Sequence, residues 1–122
     1  MSARYEKYRD KAGEYRLRLK NPLGSIIAVA EGYSSASNRD TAIAFNRANC
    51  STPYFDTAPL GFAKYEIFRG TDDRWYWRLR SSNGRVVIWG GQGFSNYQGA
   101  YTDVDQNRTF GKTQVEFELT AA

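Results

Sequence analysis

Residues 4–57 and 64–119 of this chain look like two copies of one pattern, and that repetition limits the folds open to it more than any other feature. Tyr5-Glu6-Lys7-Tyr8-Arg9 aligns with Tyr65-Glu66-Ile67-Phe68-Arg69 at an offset of 60. The same offset sets Arg18-Leu19-Lys20 on Arg78-Leu79-Arg80 and Ile26-Ile27-Ala28 on Val86-Val87-Ile88. One inserted residue near Gly90-Gly91-Gln92 moves the offset to 61, after which Gly32-Tyr33-Ser34 meets Gly93-Phe94-Ser95 and Asn46-Arg47 meets Asn107-Arg108. Correspondences that keep one order over a whole half point to two units joined by a linker over 58–63. With 122 residues in all, the two units fit a single domain that shares one core.

Within each copy the hydrophobic period is two, then close to 3.6. Tyr15, Leu17 and Leu19 alternate with Arg16, Arg18 and Lys20; Trp75, Trp77 and Leu79 alternate with Tyr76, Arg78 and Arg80. Such alternation predicts half-buried strands. Asn83-Gly84 predicts a two-residue hairpin turn, with both central residues at positive φ, and Asn21-Pro22-Leu23-Gly24 is its looser counterpart. Apolar strands follow at 25–30 and 85–89. A helix over Arg39–Ala48 capped by Ser37 or Asn38 comes next, and its counterpart runs from about Gln98 to Arg108. Short β-type tails, Tyr54-Phe55 and 114–119, close the copies. Each copy reads β-β-β-α-β, which makes an α+β domain with helices collected on one side of a sheet.

Composition excludes several kinds of chemistry. There is no histidine and one cysteine, Cys50. Ser-His-Asp and Cys-His catalysis and His-containing zinc sites are therefore closed to the chain. A metal would have to rest on carboxylates alone, so no cofactor is expected and the protein is read as a non-enzyme. No apolar run reaches the roughly 18 residues of a membrane span, and the polar start, Met1 to Lys7, has no secretory h-region. A lone cysteine fits a reducing cytoplasm. Cys50 itself reads as a buried or half-buried thiol.

Gly13-Glu14-Tyr15-Arg16-Leu17-Arg18-Leu19-Lys20, a glycine turn, an apolar strand, Glu31-Gly32-Tyr33-Ser34-Ser35 and a helix together resemble the YegP-like family of small tandem-repeat domains of unknown function. The resemblance covers nearly the whole chain. It implies two β3-α-β units sharing one antiparallel sheet, with the last strands exchanged between them. The second copy departs from the pattern where Gly91-Gln92-Gly93-Phe94 stands for Glu-Gly-Tyr.

Two surfaces are candidate sites. If the helices cover Leu17, Leu19, Trp77 and Leu79, the opposite sheet face presents Arg16, Arg18, Lys20, Arg78 and Arg80 with Tyr76 among them. Guanidinium groups pair with phosphate and a tyrosine ring offers stacking. The net charge of +4 and the pI near 9.3 have the sign an anionic partner such as nucleic acid requires. The plainer expectation is a solvated face whose arginines pair across strands with Glu6 and Glu66. The second surface is aromatic. Among 3 Trp, 9 Tyr and 7 Phe, Trp75 and Trp77 read as core, and Trp89, beside Gly90-Gly91, as a point of ligand contact. The alternative function is a protein-interaction or self-associating module that uses this aromatic surface and a sheet edge. Gly90-Gly91-Gln92-Gly93 reads as a bulge or strand exit, Asp72-Asp73 as a hairpin tip, and Ser34, Ser35 and Ser95 as turn or cap residues.

Overall fold

The computed structural model describes residues 2–55 and 61–119; positions 58–60 of the expected linker lie outside them. Among the described residues, seven strands form one sheet in the order β4-β5-β6-β3-β2-β1-β7. They are β1 (Arg4–Arg9), β2 (Tyr15–Lys20), β3 (Ile26–Val29), β4 (Lys64–Arg69), β5 (Trp75–Arg80), β6 (Val86–Gly90) and β7 (Glu116–Glu118). Two helices, α1 (Ala36–Asn49) and α2 (Tyr97–Phe110), cover one face. The α+β class and the layer arrangement are those expected.

The halves correspond pair by pair. β1 meets β2 from Arg4↔Lys20 to Arg9↔Tyr15, and β4 meets β5 from Lys64↔Arg80 to Arg69↔Trp75. Both β2–β3 and β5–β6 slip register at the same place, after Leu19 and Leu79. The halves join through β3 and β6, which are antiparallel, at Ala28↔Gly90 and Val29↔Trp89.

The last strand is exchanged, as the resemblance implied: β7, from the second half, pairs with β1 of the first. That pairing is parallel, so the sheet is mixed rather than wholly antiparallel. The reason is where α2 delivers the chain. Thr113 Oγ1 donates to Ala3 O at 2.8 Å and Tyr5 N to Val115 O at 3.0 Å. The tail thus reaches β1 at its start and has to run in its direction. The counterpart in the first half is shorter. Tyr54 O accepts one bond from Tyr65 N at 3.0 Å, but 54–55 form no strand.

All four hairpins use one loop. In Asn21–Ser25 and Ser81–Arg85 the first N–H bonds the last carbonyl and the glycine N–H bonds the first. Gly24 and Gly84 alone carry positive φ there, at 89° and 87°. Asn83-Gly84 therefore sits in a three-residue turn with one left-handed residue, not the expected two-residue turn. Asn83 spends its side chain instead on Arg85 N–H, at 3.1 Å. Asp72-Asp73 does form a hairpin tip, where Asp73 at φ 65° matches Gly13 at 83°.

Both helices begin earlier than their apolar spacing predicts. Ser35 Oγ accepts from Asn38 N at 3.1 Å, and Asn96 Oδ1 accepts from Gly99 N at 2.8 Å. Ser37 and Asn38 lie inside α1 rather than capping it. Ser35, with its extended backbone, takes that role.

Tyr5, Leu17, Leu19, Ile27, Trp77, Leu79 and Ile88 from the sheet pack against Ala42, Ile43 and Val104 from the helices. At the centre of this apolar layer lies a closed polar set. Asn46 Nδ2 donates to Asn107 Oδ1, and Asn107 Nδ2 to Asn46 Oδ1, both at 3.0 Å. Asn46 also donates to the Tyr5 hydroxyl and Asn107 to the Tyr65 hydroxyl, each at 2.8 Å. The hydroxyls in turn donate to Gly111 O at 2.7 Å and Cys50 O at 2.5 Å, just past the ends of α2 and α1. All four side chains are fully buried, so each bond satisfies a group that water cannot reach.

The second half differs from the first where Trp77 replaces Leu17. Its indole N–H donates to Asp103, at 2.7 Å, in the place of Ala42. Gly90 is part of the same adjustment. A Cβ there would come within 2.8 Å of the Trp77 ring. Of the bulge or strand exit expected from sequence, Gly90 is the strand exit, the last residue of β6, and it serves indole packing; the register slip lies earlier in the strand, where Arg80 meets Val86 and Leu79 meets Ile88.

Two stability measurements follow. Asn46→Leu or Asn107→Leu leaves buried donors and acceptors unpaired and should cost about 2–4 kcal/mol in denaturant unfolding. The double substitution should cost clearly less than the sum of the two, because they break one shared pair. Burial raises the Asp103 carboxyl to about 6, with the Trp77 indole acting against it. The folded state therefore holds a proton that the unfolded chain, titrating near 3.9, has lost. Stability should fall as pH rises through this window. Relative to Asp103→Asn, which keeps an acceptor for Trp77, the chain should lose about 2–3 kcal/mol between pH 4 and 7. Parallel curves for the two proteins would refute this.

Candidate anion-binding face

The face opposite the helices is written by strand register. Cross-strand partners share a face, so the pairings Glu66↔Arg78, Arg78↔Trp89, Trp89↔Val29, Val29↔Arg18 and Arg18↔Glu6 trace one row across six strands. Its midpoint is the β3–β6 junction. Arg18 and Arg78 stand three strand spacings apart, about 14 Å. The sheet thus gathers the five cations singled out from sequence on one face, in two clusters.

Each cluster is organised by a glutamate. Arg18 Nε lies 2.7 Å from Glu6, Lys20 Nζ 3.3 Å and Arg4 Nε 3.4 Å. Arg78 Nε lies 2.5 Å from Glu66 and Arg80 Nε 2.7 Å. Arg16 bonds Asp10 at 2.9 Å, with Glu14 at 3.6 Å. Burial by itself would raise Glu6 and Glu66, but hydrogen bonds from Arg18 and Lys20, and from Arg78 and Arg80, outweigh it and hold both carboxyls below the usual range. The cross-strand pairing expected of a plain solvated face is therefore present. It is also incomplete, because one carboxylate offsets one charge. Arg4, Arg18 and Lys20 against Glu6 leave two positive charges; Arg78 and Arg80 against Glu66 leave one. The side chains of Arg18, Arg78 and Arg80 remain about a quarter to a third exposed.

Aromatic rings hold the arginines flat. The Arg78 guanidinium lies 4.3 Å from the Phe68 centroid, and that of Arg18 5.0 Å from Tyr8. Phe68 stacks on Tyr76 at 5.9 Å, and the Tyr76 hydroxyl is fixed by Asp72. Phe68, Tyr76, Arg78, Val86 and Trp89 line a shallow slot of about 230 Å³. Tyr76 and Trp89 are thus brought together with Arg78, whereas Arg16 stands in the other half, in Tyr76's equivalent place beside Tyr8. Trp77 is core, as expected. Trp75 is half-buried, edge-on to Tyr97 at 5.6 Å. Sequence reasoning missed Phe68 and Arg4. The signal was available, since both alternate in phase with Glu66 and Glu6.

The other singled-out residues have structural work. Cys50 is fully buried and burial raises its thiol, which suppresses thiolate chemistry. Among the described residues, no group of His, Cys, Asp and Glu could hold a metal ion, and no helix is long and apolar enough to cross a membrane.

Comparison with known proteins gives kinship and fold. A UPF0339 protein from the ptx operon 5′ region of Stutzerimonas stutzeri is 32% identical over 87 residues, 71% of this chain and 70% of that one. A UPF0339 protein of Acinetobacter baylyi is 28% identical over 120 residues, spanning 98% and 99%. The solution structure of the E. coli protein of unknown function YegP matches with a TM-score of 0.81 at 20% identity, over 100% of this chain and 97% of that chain. A UPF0339 protein from Shewanella oneidensis matches equally well, with a TM-score of 0.81 at 20% identity over 98% and 92%. The fold class implied by the YegP-like resemblance is the one found, with a mixed sheet in place of a wholly antiparallel one. Residues 10–54 and 71–106, one segment from each half, both match the family described as Domain of unknown function (DUF1508), and it is to this family that the chain belongs.

Proposed function

We propose that the protein is a non-catalytic binding module of the cytoplasm whose outer sheet face takes a nucleic acid. Arg16, Arg18, Lys20, Arg78 and Arg80 contact phosphates, while Tyr76 and Trp89 offer ring surface to a base. The observation that carries the reading is the charge surplus: Arg4, Arg18 and Lys20 share Glu6, and Arg78 and Arg80 share Glu66, with an aromatic slot beside Arg78. Such clusters attract a polyanion and still pre-orient the guanidinium forks for it. The buried, unpaired Cys50 is consistent with a reducing compartment.

A second reading, self-association through the sheet edge, draws on β7. This edge strand has three exposed residues, with Phe117 46% exposed. The two readings part on salt. Anisotropy titration of labelled single- and double-stranded oligonucleotides should show binding whose log–log salt slope is about −2 to −3, as expected for three or four phosphates on a single strand. Arg78→Ser should flatten the slope by about 0.7, and Glu66→Gln, which frees one charge, should tighten binding. Absence of binding at low salt, together with a concentration-dependent rise in mass by sedimentation, would transfer the assignment to the edge.

A further inference from the structure

On the helix side, a groove of about 510 Å³ opens where the two halves meet. Its walls include Glu14 just before β2, Glu31 and Tyr33 from the loop before α1, Phe45 from α1, and Arg85 from the hairpin of the other half. The loop is held in place. Tyr33 and Tyr15 exchange backbone bonds of 2.9 and 2.8 Å, and Ser35 begins the helix directly after it. Gly32 lets Glu14 lie across the loop, since a Cβ there would sit 2.7 Å from its carboxylate oxygen.

The equivalent place in the other half has different chemistry. By the offset relating the halves, Gln106 stands for Phe45, Asp103 for Ala42 and Arg74 for Glu14. There Asn21 Nδ2 donates across to Gln106 Oε1 at 2.8 Å, tying hairpin to helix. Phe45 has no such group, so the first-half groove lacks that tie.

Its carboxylates also differ from those on the sheet face. Glu31 meets Arg85 at 3.4 Å and Glu14 meets Arg16 at 3.6 Å, and both glutamate side chains are 46% exposed. Exposed contacts of this kind are weak and readily exchanged, whereas the Glu6 and Glu66 side chains are only 9% and 19% exposed and each takes at least one bond of 2.7 Å or less. Arg16 bonds Asp10 at 2.9 Å, so Glu14 and Glu31 against Arg85 leave the groove lining negative by one charge, on a chain whose net charge is +4. Tyr33 and Phe45 add ring faces suited to a cation and to its apolar stem.

We propose that this groove binds a small organic cation, an amine or guanidine on a short apolar stem. Its head replaces Arg85 and Arg16 at Glu31 and Glu14, and its stem lies along Tyr33 and Phe45. The groove's volume is in the range of small-molecule sites.

Amide NMR titration of the full chain with agmatine and putrescine, and with glutarate as an anion of similar length, tests this. Saturable shifts at Gly32, Tyr33 and Thr41 are expected with the two cations, with Kd about 0.1–1 mM. Glu14→Gln with Glu31→Gln should weaken them about tenfold. Arg85→Ala, which removes the competing cation, should tighten binding about threefold, and Arg78→Ser on the opposite face should change nothing. No saturable shift up to about 10 mM, equal shifts with glutarate, or unchanged binding in the double glutamine variant would overturn the proposal.

Discussion

The amide-to-amide pairing of Asn46 with Asn107 is the contact on which the rest of the architecture turns. Each amide is spent completely on its counterpart and on a tyrosine hydroxyl, and each hydroxyl passes the chain of bonds to the carbonyl just beyond a helix. Two helices and two first strands are thereby fixed at one point in a dry interior. An apolar core alone tolerates sliding; a satisfied polar set tolerates only the arrangement that satisfies it. This matters because the ladder between the halves is short. β3 and β6 share two registered pairs, whereas β1 with β2 and β4 with β5 share six each.

Once the halves are held in that relation, the two faces of the sheet acquire different electrostatics. On the outer face, Glu6 and Glu66 accept bonds from more cations than they can neutralise, so positive charge persists with its geometry already set. On the helix side, Glu14 and Glu31 keep only long contacts, beside aromatic rings. The halves have also diverged. Trp77, Asp103 and Gly90 form one packing solution, with Leu17, Ala42 and Ala30 standing in the corresponding places, and each member of the larger set makes sense only with the others.

Much of this was readable residue by residue. Strict alternation over Tyr15–Lys20 and Trp75–Arg80 assigns those strands and their faces, because a period of two leaves no choice about which side chains share a side. Pairing of the face arginines with Glu6 and Glu66 followed from the same logic. Less was readable at the turns and caps. Asn83-Gly84 suggests a two-residue turn, yet the strand register calls for three. Ser35 caps α1 in place of Ser37 or Asn38, since the cap depends on where the Tyr33–Tyr15 bridge delivers the chain. Asn46 and Asn107 were visible only as markers of the repeat.

The order of residues by itself determined what is local and periodic: strict alternation in two strands, an apolar strand after each, two helices, a cationic set in phase on one face, and the absence of imidazole chemistry. Those depend on pleat, helical pitch and side-chain type, which act over a few residues. Tertiary structure alone decided the parallel exchange of β7 onto β1, the buried asparagine pair, the sharing of each glutamate among several cations, and the groove beside Arg85. Each of these arises between residues far apart in the chain, and distance in space is set by how the two halves dock.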